Sequence, residues 1–170
     1  IGVVYAPQSR IPLVSPDPSL ASLVKAKADL LEVIKDFPFA EGREDLNRGV
    51  WLAAIITRLL RTTFRGNVPM WLVNSGASGS GKGKLVDAAA IISDGVITAQ
   101  TVSFAADEGE NERVLGMLLK GDAPVIHVDN IRATLASCVY EQFLTTATFS
   151  TREIGSSGSI NKSKKTTVGG

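Results

Sequence analysis

Gly76-Ala77-Ser78-Gly79-Ser80-Gly81-Lys82 fits the pattern G-x-x-x-x-G-K. In that pattern the chemistry is phosphate binding. Glycines let successive backbone N–H groups turn inward around an anion, and the helix that follows points its positive end at the same place. Lys82 adds a mobile cation for the outer phosphates of a nucleotide. The next residue departs from the usual motif. Ser or Thr at that point binds magnesium through its hydroxyl, but Gly83 has no side chain. A metal must then be held by the nucleotide, by water and by a carboxylate elsewhere, with Ser80 inside the loop as the alternative hydroxyl.

Asp129 is the second anchor. Pro124-Val125-Ile126-His127-Val128-Asp129 is an apolar segment that ends in a carboxylate, 47 positions after Lys82. An apolar strand presenting Asp at its end is the Walker B arrangement, in which the carboxylate sits near Mg2+ beside the phosphates. The alternative is a capping or loop aspartate. Many nucleotide hydrolases place Glu next, to polarise the attacking water; here it is Asn130, which can orient a water but cannot accept its proton. Glu108, Glu110 and Glu112 are other carboxylates to weigh, against their plainer reading as a solvated acidic helix start. Arg152 is open to two readings, an arginine finger that reaches a neighbouring subunit's nucleotide or a surface ion pair with Glu153.

These residues need elements to position them. Pro69-Met70-Trp71-Leu72-Val73-Asn74 reads as an apolar strand running into the glycine loop, and Lys84 to Ile92 as the helix that leaves it. Strand, loop and helix form the context in which the motif has physical meaning. A short strand is expected at 101–104, a helix from the acidic entry at Asp107 to about Gly121, a strand at 124–129 and a helix at about 135–147. With a strand between the two motif strands, the pattern fits ring-forming ATPases better than small nucleotide kinases.

Phe149–Ile154 and Lys164–Val168 read as two strands flanking a Gly/Ser-rich tip, Gly155 to Lys162. Arg152, Lys162, Lys164 and Lys165 against Glu153 give this stretch a local balance of +3, in a chain whose net charge is +1. A basic hairpin of this kind can track a nucleic-acid backbone. It lacks aromatic residues for base stacking, so a solvated lysine cluster is the competing reading.

Upstream, residues 1–17 are proline-punctuated, with Pro7, Pro12 and Pro16, and read as an extended arm. Asp17-Pro18 starts a helix that puts Leu20, Leu23, Val24, Leu30, Leu31 and Ile34 largely on one face, a stripe expected to be core. A second helix runs from about Glu44 to Phe64, with Arg58, Arg61 and Arg65 towards its C-terminal end, where cations suit the dipole. The expected organisation is an arm and helical preface over 1–66 and an α/β nucleotide-binding core over 67–170.

Composition narrows the classes. With 44% hydrophobic and 21% charged residues, the 170-residue chain is globular in type. Its near-zero net charge gives no global attraction to nucleic acid. Cys138 is the only cysteine, which excludes an internal disulfide and suits a reducing cytoplasm. His127 is the only histidine, which excludes a His/Cys metal cluster. No apolar run approaches the ~20 residues of a membrane helix. The chain opens without Met, at Ile1, and closes soon after a strand-like segment, so a fragment of a longer protein is expected.

Taken together, Phe37-Pro38-Phe39, the Trp71-Leu72-Val73 segment with Gly81-Lys82-Gly83-Lys84-Leu85, Leu118 to Val125 running into Val128-Asp129-Asn130, and Arg152-Glu153-Ile154-Gly155-Ser156-Ser157 resemble the ATPase region of phage and plasmid primase–helicase proteins. The resemblance covers most of 35–168, and includes Gly83 and Asn130. It implies a P-loop three-layer α/β sandwich related to hexameric AAA+ and superfamily-three helicases, ATP and Mg2+ as ligands, and a homo-oligomeric ring. By position it makes 150–168 a hairpin that enters a central DNA channel. A nucleotide-binding regulatory module with little hydrolysis, and a small-molecule kinase, are the alternatives.

Overall fold

The structure, a computed structural model, describes residues 15–63, 66–77, 79–95, 100–120, 125–129, 131, 135–146, 148–152, 159–163 and 167–169; for 100, 151–152, 159–163 and 167–169 it describes the backbone alone. The chain divides into two compact units at Lys35/Asp36.

In the first unit, α1 spans Leu20–Glu32. Ser19 caps it, its hydroxyl accepting from the Ser22 amide at 3.2 Å, which satisfies one of the orphan N–H groups of a helix start. The stripe expected to be core is buried only at its far end: Leu30 and Leu31 are half-buried and Ile34, just past α1, is fully buried. Leu20, Leu23 and Val24 are 77%, 53% and 61% exposed, and no residue of the helix is buried. Periodicity shows that a helix has an apolar face, not that the face is covered.

The second unit is mixed α/β. In chain order it holds α2 (Glu44–Leu59), α3 (Lys82–Asp94), β1 (Gln100–Ser103), α4 (Glu108–Lys120), β2 (Val125–Asp129), α5 (Cys138–Thr145), β3 (Thr148–Arg152), β4 (Ser159–Ser163) and β5 (Thr167–Gly169). The strands β1, β2 and β5 form a small parallel sheet in the order β1-β2-β5. Helix α4 makes the crossover between the first two, as parallel pairing requires.

β2 is the centre of the unit. Its first four residues are all buried, as expected of a parallel strand covered on both faces. Ile126 and Val128 pack with Leu115, Leu118 and Leu119 of α4, with Tyr140 and Phe143 of α5, and with Phe149 of β3. Val125, on the opposite face, packs with Val86 and Ala90 of α3 and with Val73.

α2 and α3 are tied at two points. The Trp51 indole N–H donates to the Leu85 carbonyl at 3.0 Å, in a buried bond. Arg58 pairs with Asp94 at 2.6 Å.

Two expected strands differ from what forms. Residues 69–74 make no ladder; Trp71 alone forms an isolated bridge. Both edges of β2 are already taken, by β1 and β5, so this segment has no place beside it. Burial still alternates along it, with Trp71, Val73 and Ser75 half-buried and Leu72 and Asn74 exposed, the period of a one-faced strand.

The C-terminal hairpin is present in a different register. β3 pairs antiparallel with β4, Thr148 opposite Ser163 and Arg152 opposite Ser159. Lys162 is therefore in a strand opposite Phe149, not at the tip. Val168 leaves the hairpin altogether and stands in register with Ile126 in the parallel sheet. A central strand must bond on both edges, and the Thr167–Gly169 backbone completes the second edge of β2.

Candidate functional site

The glycine loop is shaped by its own backbone. Gly79 and Gly81 have φ of 75° and 88°, the left-handed region that a Cβ disfavours. Ser75 braces the entrance: its hydroxyl accepts from the Ala77 amide at 3.1 Å and donates to the Ala77 carbonyl at 3.2 Å. Gly76 and Ala77 are exposed; Ser78 lies outside the described residues. Gly81 is the N-cap of α3 and no side chain caps that helix. The amides of its first turn, which have no intrahelical acceptor, are thus left for something else. Lys82 is the first residue of α3, half-buried. Ser80 adds a buried hydroxyl oxygen with no hydrogen-bond partner among the described residues.

Asp129 ends β2. Strand side chains alternate between faces. Val125 faces α3, and the His127 ring lies 3.7 Å from where a Cβ on Gly83 would sit. Asp129 shares that parity. It therefore stands on the α3 side of the sheet, two residues beyond His127, which the structure sets beside the first turn of the helix that the glycine loop opens. Asn130 lies outside the described residues. Arg152 is described only as backbone, at the end of β3, and Lys164 and Lys165 fall outside the described residues.

The acidic helix start has structural duties. Glu108 accepts from the Ser137 hydroxyl at 2.8 Å and the Cys138 amide at 3.1 Å, so it caps α5. Glu110 pairs with Arg113, whose guanidinium holds its carboxyl below the ordinary value. Asp107 accepts from the Glu110 amide at 2.8 Å and caps α4. Asn111, 2% exposed, bonds both the amide and the carbonyl of Ala105 at 3.0 Å, which fixes the β1–α4 turn.

Three features were not singled out from sequence as parts of the site. His127 is one; its Nδ1 is 3.5 Å from the Thr101 hydroxyl, and its place two residues before Asp129 on the same strand was the available signal. Phe37 is the second: its ring lies 3.3 Å from where a Cβ on Gly81 would sit, so it packs directly on the loop. The third is a cavity of about 360 Å³ between α2, α3 and residues 71–75, with Ser80 and Lys82 in its wall. No signal in the sequence pointed to it.

No group of three or more His, Cys, Asp or Glu side chains suited to a metal occurs among the described residues. No helix among them is long and apolar enough to cross a membrane. Comparison with protein-family models, curated proteins and solved structures gives no match.

Proposed function

We propose that this chain binds ATP at the Gly76–Gly83 loop and belongs to the motor part of a helicase-type ATPase of a mobile element, which couples ATP turnover to DNA remodelling. The observation that carries this reading is the meeting of two motifs. A left-handed glycine loop opens an uncapped helix on Lys82, and His127, two residues before the carboxylate that ends a buried parallel strand, packs beside the same first turn. Ligands of open parallel sheets bind at the carboxyl ends of the strands. On this reading the α3 amides and Lys82 hold the phosphates. The P-loop sandwich and the ring belong to the same proposal.

Magnesium fits this donor set as a shared ligand. It takes one or two protein carboxylates and completes its shell with phosphate oxygens and water, so the lack of a three-residue cluster among the described side chains is no obstacle. Asp129 would hold it, directly or through water. Magnesium would supply neutralisation of the phosphate charge as the terminal phosphoryl group leaves.

Gly83 and Asn130 favour a second reading, a regulatory module that binds nucleotide and hydrolyses little. Neither offers a metal-binding hydroxyl or a general base. The basic hairpin, with Arg152 and Lys162 on its strands, is the proposed DNA contact. ATP turnover with and without magnesium and DNA tests the reading. The motor predicts magnesium-dependent turnover that DNA accelerates and that Asp129→Ala abolishes. Turnover unchanged by Asp129→Ala would remove Asp129 from the site. Tight binding without turnover would establish the regulatory module instead.

A further inference from the structure

The cavity beside the glycine loop has the makings of a second subsite. Its walls are the facing sides of α2 and α3 and the segment 71–75, and its volume is about 360 Å³, within the range of small-molecule sites. Small side chains line the two helices, Ala54 on α2 and Ala89 and Ala90 on α3, which leaves a slot between them. The helices do not close it, because the Trp51–Leu85 bond and the Arg58–Asp94 pair fix their spacing.

The polar groups in the wall say what kind of ligand suits it. Arg58 lines the cavity, but its guanidinium is spent on Asp94 at 2.6 and 3.0 Å. Among the described residues no further arginine or lysine lines the interior apart from Lys82, at the loop. An anion therefore has its cation only at the loop end, and the rest of the cavity suits a neutral, flat group. Two buried polar atoms in the wall have no partner among the described residues, the Trp71 indole N–H and the Ser80 hydroxyl. Burying such a group unsatisfied is costly, and a ligand with ring nitrogens or carbonyl oxygens would relieve it. Phe37 lines the cavity and also packs on Gly81, so slot and loop are continuous.

We infer that this slot receives the heteroaromatic base of the nucleotide whose phosphates the loop holds, with the Trp71 N–H donating to a base nitrogen or oxygen. The inference rests on the phosphate-binding reading of the loop and adds to it the part of the ligand that gives specificity.

The chain carries its own reporter. It has two tryptophans, Trp51 and Trp71, and both line the slot. The experiment compares ATP with inorganic tripolyphosphate, by calorimetry and by tryptophan emission, on the 170-residue chain. Both ligands should bind. ATP should bind at least tenfold more tightly, and only ATP should change the emission. Ala54→Phe, which fills the slot, should lower ATP affinity to that of tripolyphosphate and leave tripolyphosphate affinity unchanged. The unchanged tripolyphosphate affinity also shows that the variant is folded. Trp71→Phe, which keeps an aromatic ring, though a smaller one, and removes the donor, should cost ATP about threefold to tenfold, the range of one hydrogen bond, and provides the test if the filled variant does not fold. Equal affinity for the two ligands with unchanged emission, or ATP affinity indifferent to both variants, would overturn the base site while leaving the phosphate site standing. Failure of both ligands to bind would overturn the two readings together.

Discussion

Two apolar segments lead into the candidate site, and they are held very differently. β2 is paired on both edges at Ile126 and His127, with Asp129 paired to β1 alone, and its first four residues are buried. Residues 69–74 make a single bridge at Trp71, and Leu72 is 66% exposed. The first presents Asp129 from the central strand of the parallel sheet. The second delivers the glycine loop from a segment whose anchors are the side chains of Met70 and Val73. The loop side is steadied through the helix behind it, by the α2–α3 bonds, and not by strand pairing. One half of the site is thus positioned by backbone and the other by side chains.

The contrast is easiest to break in the core. Ile126 is fully buried, and Ile126→Ala should cost about 2–5 kcal/mol, the cavity-forming range. Leu72→Ala should stay within about 0.5 kcal/mol, as exposed substitutions do. Urea midpoints of the two variants make the comparison, and similar losses would mean that 69–74 is as well packed as β2.

A smaller effect is expected at the ion pair that braces the loop side. The Arg58 and Asp94 side chains are 19% and 12% exposed. Arg58→Ala should cost about 1–3 kcal/mol, less than the full penalty of breaking a wholly buried pair because water still reaches both groups. Amide exchange should sharpen the picture, with faster exchange in α3 of this variant and little change in β2. Uniform acceleration across both would mean that the two halves open as one unit.

The smallest effect lies beneath β2. Burial raises the Tyr140 phenol above its ordinary value, and its hydroxyl has no hydrogen-bond partner among the described residues. The fold favours the protonated form. As pH rises past the unfolded phenol's value of about 10, the unfolded chain releases a proton that the folded chain retains, so stability falls. Tyr140→Phe should lie within about 1 kcal/mol of wild type near neutrality and should flatten this alkaline loss. A variant with the same alkaline profile as wild type would show that another group is responsible.

Legibility in the sequence followed the reach of each signal. The glycine loop, the helix after it and the apolar strand ending in Asp129 are local patterns, and they appear at or within two residues of their expected places. Which strand pairs with which is not local. Val168 has the same apolar, β-branched character whether it continues a hairpin or joins a parallel sheet, and only the demand of β2 for a second partner decides. The exposure of Leu20, Leu23 and Val24 is invisible to periodicity for the same reason. His127 was legible as the lone histidine, but its seat against Gly83 depends on how β2 and α3 pack. The slot between α2 and α3 arises from small residues that face each other across two helices, 35 positions apart at Ala54 and Ala89, a relation no single window contains.

Binding of ATP to the wild-type chain and to Lys82→Ala tests the central claim most directly. Lys82 is the one residue whose role depends on the loop being a phosphate site. The wild-type chain should bind ATP, and the variant should lose about tenfold to a hundredfold in affinity, the loss expected for one charge-assisted contact to phosphate, with its thermal unfolding in the absence of nucleotide unchanged. Equal ATP affinity in the two proteins, or no binding by either, would contradict the account.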